Sequence, residues 1–212
     1  KPANFSLREL KMIPGIILAG GESVRMGQPK ALLPTDVVGE TFLLRLITTL
    51  RRGGVDDVIV VTGPDRSILE NSIASNEPLA RFVSNPNPSE GQISSLLVGL
   101  SVADRPGVRG ALVTLVDVPL VSPETVVALL ASYRQTGAPI VRPGADDRHG
   151  HPVIFDRSLF DELRGVDKSQ GAKAVVRAHK DAIIHVSVND EGAFTDIDTP
   201  GDYERIFGRK PA

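Results

Sequence analysis

The chain has 212 residues, 41% of them hydrophobic, which suits one α/β domain with a full apolar core. Its 24 basic and 26 acidic residues give a net charge of −2, and with no tryptophan and two tyrosines this argues against a nucleic-acid surface. No cysteine is present, so the chain offers no disulfide, thiolate nucleophile, thiolate zinc site or iron–sulfur ligand set. No apolar run reaches the roughly 18 positions of a membrane helix. The opening Lys1-Pro2-Ala3-Asn4-Phe5-Ser6 lacks a signal-peptide core, so a cytoplasmic protein without a membrane partner is expected.

In chain order, apolar runs alternate with helical patterns at 13–18, 41–50, 58–61 and 66–74, then at 96–102, 111–116, 123–133, 140–141, 153–155 and 183–188. Such alternation predicts βαβ units around a mostly parallel sheet. The strands are short and continuously apolar, as strands covered by helices on both faces are. The expected architecture is a single Rossmann-like, three-layer domain with a mixed, mostly parallel sheet. The stretch 141–151 is polar and Gly-rich and reads as a loop. It divides the chain into a part of about 13–140 and a part of about 141–200. Ligands of open α/β sheets bind at the carboxyl ends of the strands. That makes the loop after Leu18 and the loop after Val116 neighbours across one crevice.

The first of these loops carries Gly20, Gly21 and Gly27 with two cations, Arg25 and Lys30. Backbone N–H groups of such a turn, with Arg and Lys beside them, suit a polyanion such as a triphosphate. Gly27 is followed by Gln-Pro-Lys, so the loop is not a Walker A motif, and its glycine spacing is not that of a dinucleotide fold. Taken alone, a Gly-rich turn can also be purely structural. In the second loop Asp117 ends the apolar strand Leu112-Val113-Thr114-Leu115-Val116, where it faces the crevice and can serve as a hard-cation ligand for Mg²⁺. Its alternative role, a turn or cap residue, is better filled by Ser122 ahead of Pro123.

Three further segments carry chemistry. In Thr195-Asp196-Ile197-Asp198-Thr199-Pro200 an extended backbone sets Asp196 and Asp198 on one face, before a helix capped by Thr199. Asp198 could equally be a turn residue. The segment Asn85-Pro86 to Gly91, Ser94 and Ser95 is a loop leading into a helix, which alone could be an ordinary helix start. His149 and His151 lie two apart near Asp146 and Asp147, but they lack the third close neutral ligand of a structural zinc site. Gly171 at a helix start followed by Lys173 suits a phosphate. His179 and His185 read as surface or packing residues.

The string Leu18-Ala19-Gly20-Gly21-x-Ser23-x-Arg25-Met26-Gly27-x-Pro29-Lys30-x-Leu32-Leu33 strongly resembles the signature of the nucleotidyltransferases that join a nucleotide to molybdopterin. More broadly it resembles the group that makes nucleotide-sugars, and it implies that group's nucleotide-diphospho-sugar transferase fold. The resemblance runs through almost the whole chain. It implies nucleotide contacts from Leu18, Ala19, Gly20, Gly21, Arg25, Lys30, Asn85, Gly91, Ser94 and Ser95, with Arg25, Lys30 and Asp117 catalytic. It implies Mg²⁺ on Asp117 and Asp198 with Asp196 in support. On the acceptor side it implies His151, Gly171 and Lys173, because Gly150-His151-Pro152-Val153 and Gln170-Gly171-Ala172-Lys173 resemble the cytidylyltransferase branch. Leu18-Ala19-Gly20-Gly21 instead reads as in guanylyltransferase relatives. The implied partners are CTP or GTP, a molybdopterin-type phosphorylated acceptor, and a recipient molybdoenzyme or its chaperone. Two alternatives remain open: transfer to another phosphorylated acceptor such as a sugar phosphate, and a non-catalytic nucleotide-binding accessory protein.

Overall fold

The computed structural model describes residues 12–21, 23, 25–63, 66–73, 80–145 and 147–211. The opening segment 1–6, Glu22 of the glycine loop, Ala74 at the end of the helix expected over 66–74, and Asp146 lie outside the described residues.

Four parallel strands form one side of the sheet: β1 (Gly15–Ala19), β2 (Val58–Thr62), β3 (Arg81–Ser84) and β4 (Gly110–Leu115). Every residue of β1 and β2 is buried, which is why both read as uninterrupted apolar runs rather than alternating ones. The other side holds β5 (Ile140–Ala145), β6 (Arg148–His149), β7 (Val153–Asp156) and β8 (Ile183–Val186). The spatial order is β3-β2-β1-β4-β7-β5-β6, with β8 paired to β5. Only the β7 pairings with β4 and β5 and the β5–β6 pairing are antiparallel. One sheet therefore runs through both halves of the sequence.

Helices cover both faces. On one side α1 (Phe42–Arg52) and α4 (Pro123–Thr136) bury Leu43, Leu46, Leu50, Val126, Leu129 and Leu130 against Ile17, Val60 and Leu112, with Leu69 of α2 (Arg66–Ser72) in the same cluster. On the other, α3 (Gln92–Ala103), α5 (Phe160–Gly165) and α6 (Ala172–Ala178) pack Leu96, Leu100, Phe160, Leu163 and Val175 onto Ile16, Val61, Val113 and Ile140. Leu46 and Leu100 are fully buried, so truncating either to Ala costs about 2–5 kcal/mol. The helices start where the sequence provides caps. The Thr41 and Ser122 side chains accept from Leu44 N and Thr125 N, and α7 (Pro200–Phe207) opens with a Thr199/Asp202 capping box and Pro200 in its first turn.

Several sequence expectations are corrected. The segment 141–151 is not a loop: β5 continues to Ala145 and turns back through β6, with the Pro143 carbonyl accepting from Gly150 N–H at 3.2 Å. Arg142-Pro143-Gly144 hides the strand because it breaks apolar patterning, and Pro143 needs only its carbonyl for pairing. β3 is a four-residue edge strand with two exposed and two half-buried residues, too polar to show as an apolar run. α5 spans six residues, short for helical periodicity to register. The run expected over 183–188 is a strand only to Val186.

Candidate active site

The carboxyl ends of β1 and β4 open into a cavity of about 330 Å³, walled by the glycine loop, the 88–95 segment, the end of β4 and Asp198. Of the residues singled out in the sequence, Leu18, Gly20, Gly21, Arg25, Lys30, Gly91, Ser95, Asp117 and Asp198 line it. Ala19 instead lines a neighbouring hollow of about 230 Å³ behind the loop, which shares Gly20, Gly21 and Lys30. Sequence reasoning missed Ser23, Pro88, Gln92, Leu115 and Val116. Ser23 is the informative one. It sits at φ +50°, a left-handed conformation that costs a non-glycine residue energy. Its carbonyl accepts from Met26 and Gly27 N–H, while its hydroxyl accepts from Lys30 N–H at 3.1 Å. A serine two residues after paired glycines was the available signal.

Lys30 is the hub of the site. Its side chain is only 10% exposed, and its Nζ lies 2.6 Å from Asp198 Oδ1 and 3.2 Å from Asp117 Oδ2. Arg25, largely exposed, reaches Asp198 Oδ2 at 3.4 Å. The two acidic segments are held together through the backbone, since Ile197 N–H donates to the Asp117 carbonyl at 2.8 Å. The 195–198 segment, expected to be extended, joins no strand of the sheet, and Asp196 feels the charges of both Asp117 and Asp198. The Lys30 ammonium bonded to Asp198 holds that carboxyl below its ordinary range. Burial, reinforced by Asp117 and Asp198, pushes the Asp196 carboxyl up. Three carboxylates thus converge against one ammonium and one guanidinium.

This donor set fits a hard divalent cation. Asp117 Oδ1 is buried without a hydrogen-bond partner, and carboxylate oxygens are the ligands such ions prefer. Among the described residues no three His, Cys, Asp or Glu side chains are grouped tightly enough to enclose an ion. Phosphate oxygens or water must therefore complete any coordination shell.

Asn85 and Ser94 lie behind the cavity wall rather than in it. Asn85 Nδ2 donates to Ser94 Oγ (2.7 Å) and Ser95 Oγ (3.0 Å), its Oδ1 accepts from Asn87 N–H, and Ser94 Oγ donates to the Asn87 and Gly91 carbonyls. This buried network braces a loop whose Gly91 sits at φ +85°, a turn only glycine takes without strain. Farther out, His151 is buried with its Nδ1 unpartnered, and burial lowers its pKa. Gly171 and the exposed Lys173 do not line the cavity. The turn ahead of them is tied to the cavity rim by a Lys168–Glu90 ion pair at 2.6 Å. α6 starts directly after Gly171, which sits at φ +61° as its N-cap. His179 pairs with Glu162 at 2.7 Å, and the His185 ring lies tilted against that of His149.

Known proteins resemble the chain along most of its length. It is 32% identical to a protein named nicotine blue oxidoreductase from Paenarthrobacter nicotinovorans, over 94% of this chain and 98% of that one. It is 34% identical to a probable molybdenum cofactor guanylyltransferase of Mycobacterium avium (strain 104), over 71% and 73% respectively. Its fold matches the crystal structure of Rv0371c from Mycobacterium tuberculosis H37Rv at a TM-score of 0.78 and 28% identity, covering 94% of this chain and 98% of that one. A manganese complex of Rv0371c matches at 0.72 and 25%, covering 94% and 99%. The domain family described as MobA-like NTP transferase matches residues 15–183. The chain belongs to that family of nucleotidyltransferases.

Proposed function

We propose that this chain transfers a nucleotidyl group from CTP to the phosphate of a molybdopterin-type acceptor and releases pyrophosphate, in maturation of the molybdenum cofactor. The observation that carries the reading is the Lys30 ammonium bridging Asp117 and Asp198 at the mouth of a glycine-lined cavity. Residues 13–140 supply the nucleotide side and 141–200 the acceptor side. Leu18 to Gly21 offer backbone to the nucleotide. Gly91 and Ser95 face it, and Asn85 and Ser94 hold that wall in place. The product then passes to a recipient molybdoenzyme or its chaperone.

In this reaction an acceptor phosphate oxygen forms a new bond to the α-phosphorus. The bond from that phosphorus to the oxygen bridging the β-phosphate breaks, and pyrophosphate leaves with the electron pair. A phosphate monoester is largely dianionic at neutral pH, so the nucleophile needs no general base. The work left to the protein is positioning and neutralising charge. Lys30 and Arg25 exchange their carboxylate partners for triphosphate oxygens. Asp117 and Asp198, with Asp196 beside them, would hold Mg²⁺, which supplies Lewis-acid neutralisation of the reacting phosphates. That the similar protein Rv0371c forms a complex with manganese supports a role for a divalent ion.

CTP is favoured by the Gly150–Val153 and Gln170–Lys173 segments. The guanylyltransferase relative supports GTP, but its match leaves over a quarter of this chain uncovered. The test is pyrophosphate release from CTP, GTP, ATP and UTP with Mg²⁺ or Mn²⁺, with and without molybdopterin. CTP with molybdopterin should be the fastest pair. Faster release from GTP would correct the donor, and no release from any pair would overturn the reading. The relative named an oxidoreductase favours a second reading, in which the crevice serves the reduction of a small molecule. Reduction of nicotine blue by NADH or NADPH, in a chain that releases no pyrophosphate, would establish it.

A further inference from the structure

Strand β5 carries a cation, Arg142, with no counter-ion among the described residues. Arg142 follows Ile140 by two positions and so shares the sheet face that bears α3, α5 and α6. Its partner across the ladder on β8 is His185, while Gly144 is paired with His149 on β6. The His149 and His185 rings lie 4.9 Å apart at 35°. Gly144 makes room for them, since a Cβ there would come within 2.8 Å of His185 Cβ. His151 lies close enough to both Arg142 and Asp117 to feel their charges.

Arg142 Nε is buried and makes no hydrogen bond. Among the described residues no carboxylate pairs with Arg142, whereas Arg45, Arg81, Arg105, Arg148 and Arg157 each pair with an Asp or Glu. Leaving a half-buried guanidinium unpaired costs stability, and a hairpin that only needed to pack could hold an apolar residue there. Surrounded by imidazoles, Arg142 instead makes a positive basin, and it is open, because His149 and His185 are exposed. Its planar fork matches two oxygens of a phosphate. β4 and β5 both run antiparallel to β7 and so run the same way; Arg142, mid-strand in β5, lies level with Val113 through the β7 register, and β5 runs on from it toward the sheet edge that holds Asp117.

We propose that Arg142, flanked by His149 and His185, is the anion site on the acceptor side, taking a phosphate-class group of the molecule that receives the nucleotide. Naming that molecule as acceptor rests on the transfer reading above; the anion site itself does not.

The four histidines make the test direct, because three surround Arg142 while His179 is held by Glu162. Inorganic phosphate is titrated at fixed pH and ionic strength while histidine ring signals are followed by NMR. In the wild type the His149 and His185 signals should move saturably and His179 should stay still. Lys30→Met, which disables the triphosphate site, should leave that titration intact, and Arg142→Gln should weaken it at least tenfold. Static signals in the folded wild type, equal movement at His179, or an unchanged Arg142→Gln titration each overturn the site. If Arg142→Gln does not fold, Arg142→Lys serves in its place, and the wild-type titration decides by itself. With transfer activity in hand, Arg142→Lys should raise the acceptor KM at least tenfold and leave the NTP KM within twofold. Phosphate binding with an unchanged acceptor KM would mean that the basin takes free phosphate, and the proposal fails. Phosphate binding without nucleotidyl transfer would overturn the transfer reading alone.

Discussion

The backbone N–H of Ile197 donates to the carbonyl of Asp117 at 2.8 Å, and this bond sets two acidic segments, about eighty residues apart in sequence, side by side. Tyr203 holds the far end of the second segment. It is fully buried against Phe42 and Phe207, and its hydroxyl donates to the Pro34 carbonyl at 2.7 Å. The carboxylates are thereby held in place before any ligand arrives, and Lys30 holds their mutual repulsion in check.

Replacing Lys30 by Met should expose that repulsion. Removing a cation that is mostly buried and paired twice is expected to cost stability, here about 1–3 kcal/mol because both carboxylates keep some solvent. Thermal melts should show the variant regaining more stability from millimolar Mg²⁺ or Mn²⁺ than the wild type does. Turnover should fall at least about a hundredfold, the scale of one preorganised electrostatic contact. A variant that melts like the wild type, with or without metal, would contradict the role given to Lys30.

Asp196 gives a pH signature of opposite sign to Asp198. The folded state raises the Asp196 pKa, so it binds a proton that the unfolded chain has already lost, and stability falls as pH rises through that window. Asp196→Asn should therefore stabilise the protein at neutral pH, and the gain should vanish at pH values below the carboxyl's ordinary range. Asp198, whose pKa Lys30 lowers, contributes stability above the ordinary range that is lost as pH falls through its depressed value. Asp198→Asn should accordingly destabilise at neutral pH. Melting curves of both variants across pH 3–8 would check the two signs.

How much of this was legible follows from what each residue reports locally. Strands buried on both faces announce themselves as apolar runs, so β1, β2 and β4, and with them the crevice between the two loops, could be read directly. Arg25, Lys30 and Asp117 stood out because charged groups follow those runs, and Asp198 because the Asp196-Ile197-Asp198-Thr199-Pro200 segment resembles the family's. What stayed hidden depends on contacts distant in sequence. Arg142, His149 and His185 look like scattered polar residues until the β5 pairings with β6 and β8 bring them onto one face. Asn85 and Ser94 looked like ligand groups, yet their hydrogen bonds are taken up by each other and by the loop.

That network predicts an indirect effect. Asn85→Ala would leave the buried Ser94 and Ser95 hydroxyls without their amide partner, costing about 1–3 kcal/mol. Because the same network braces Gly91, the KM for NTP should rise several-fold while the acceptor KM holds. Calorimetry and steady-state kinetics on one preparation would test it. A stability loss with no change in NTP KM would mean the loop wall does not shape the nucleotide site.

Lys173 and Arg142 both stand on the acceptor side, but their surroundings give them different weights. Lys173 is exposed, so its charge is screened, and losing its contact to an anion should cost about 1 kcal/mol or less, under about sixfold. The Lys168–Glu90 pair ties the turn that precedes Lys173 to the cavity rim. Lys173→Ala should thus raise the acceptor KM by about twofold to fivefold and leave the NTP KM unchanged. High salt should shrink the effect, because an exposed charge acts through a screened field. A shift confined to the NTP would reverse the assignment of the two halves. An acceptor KM untouched at low ionic strength would remove Lys173 from the site.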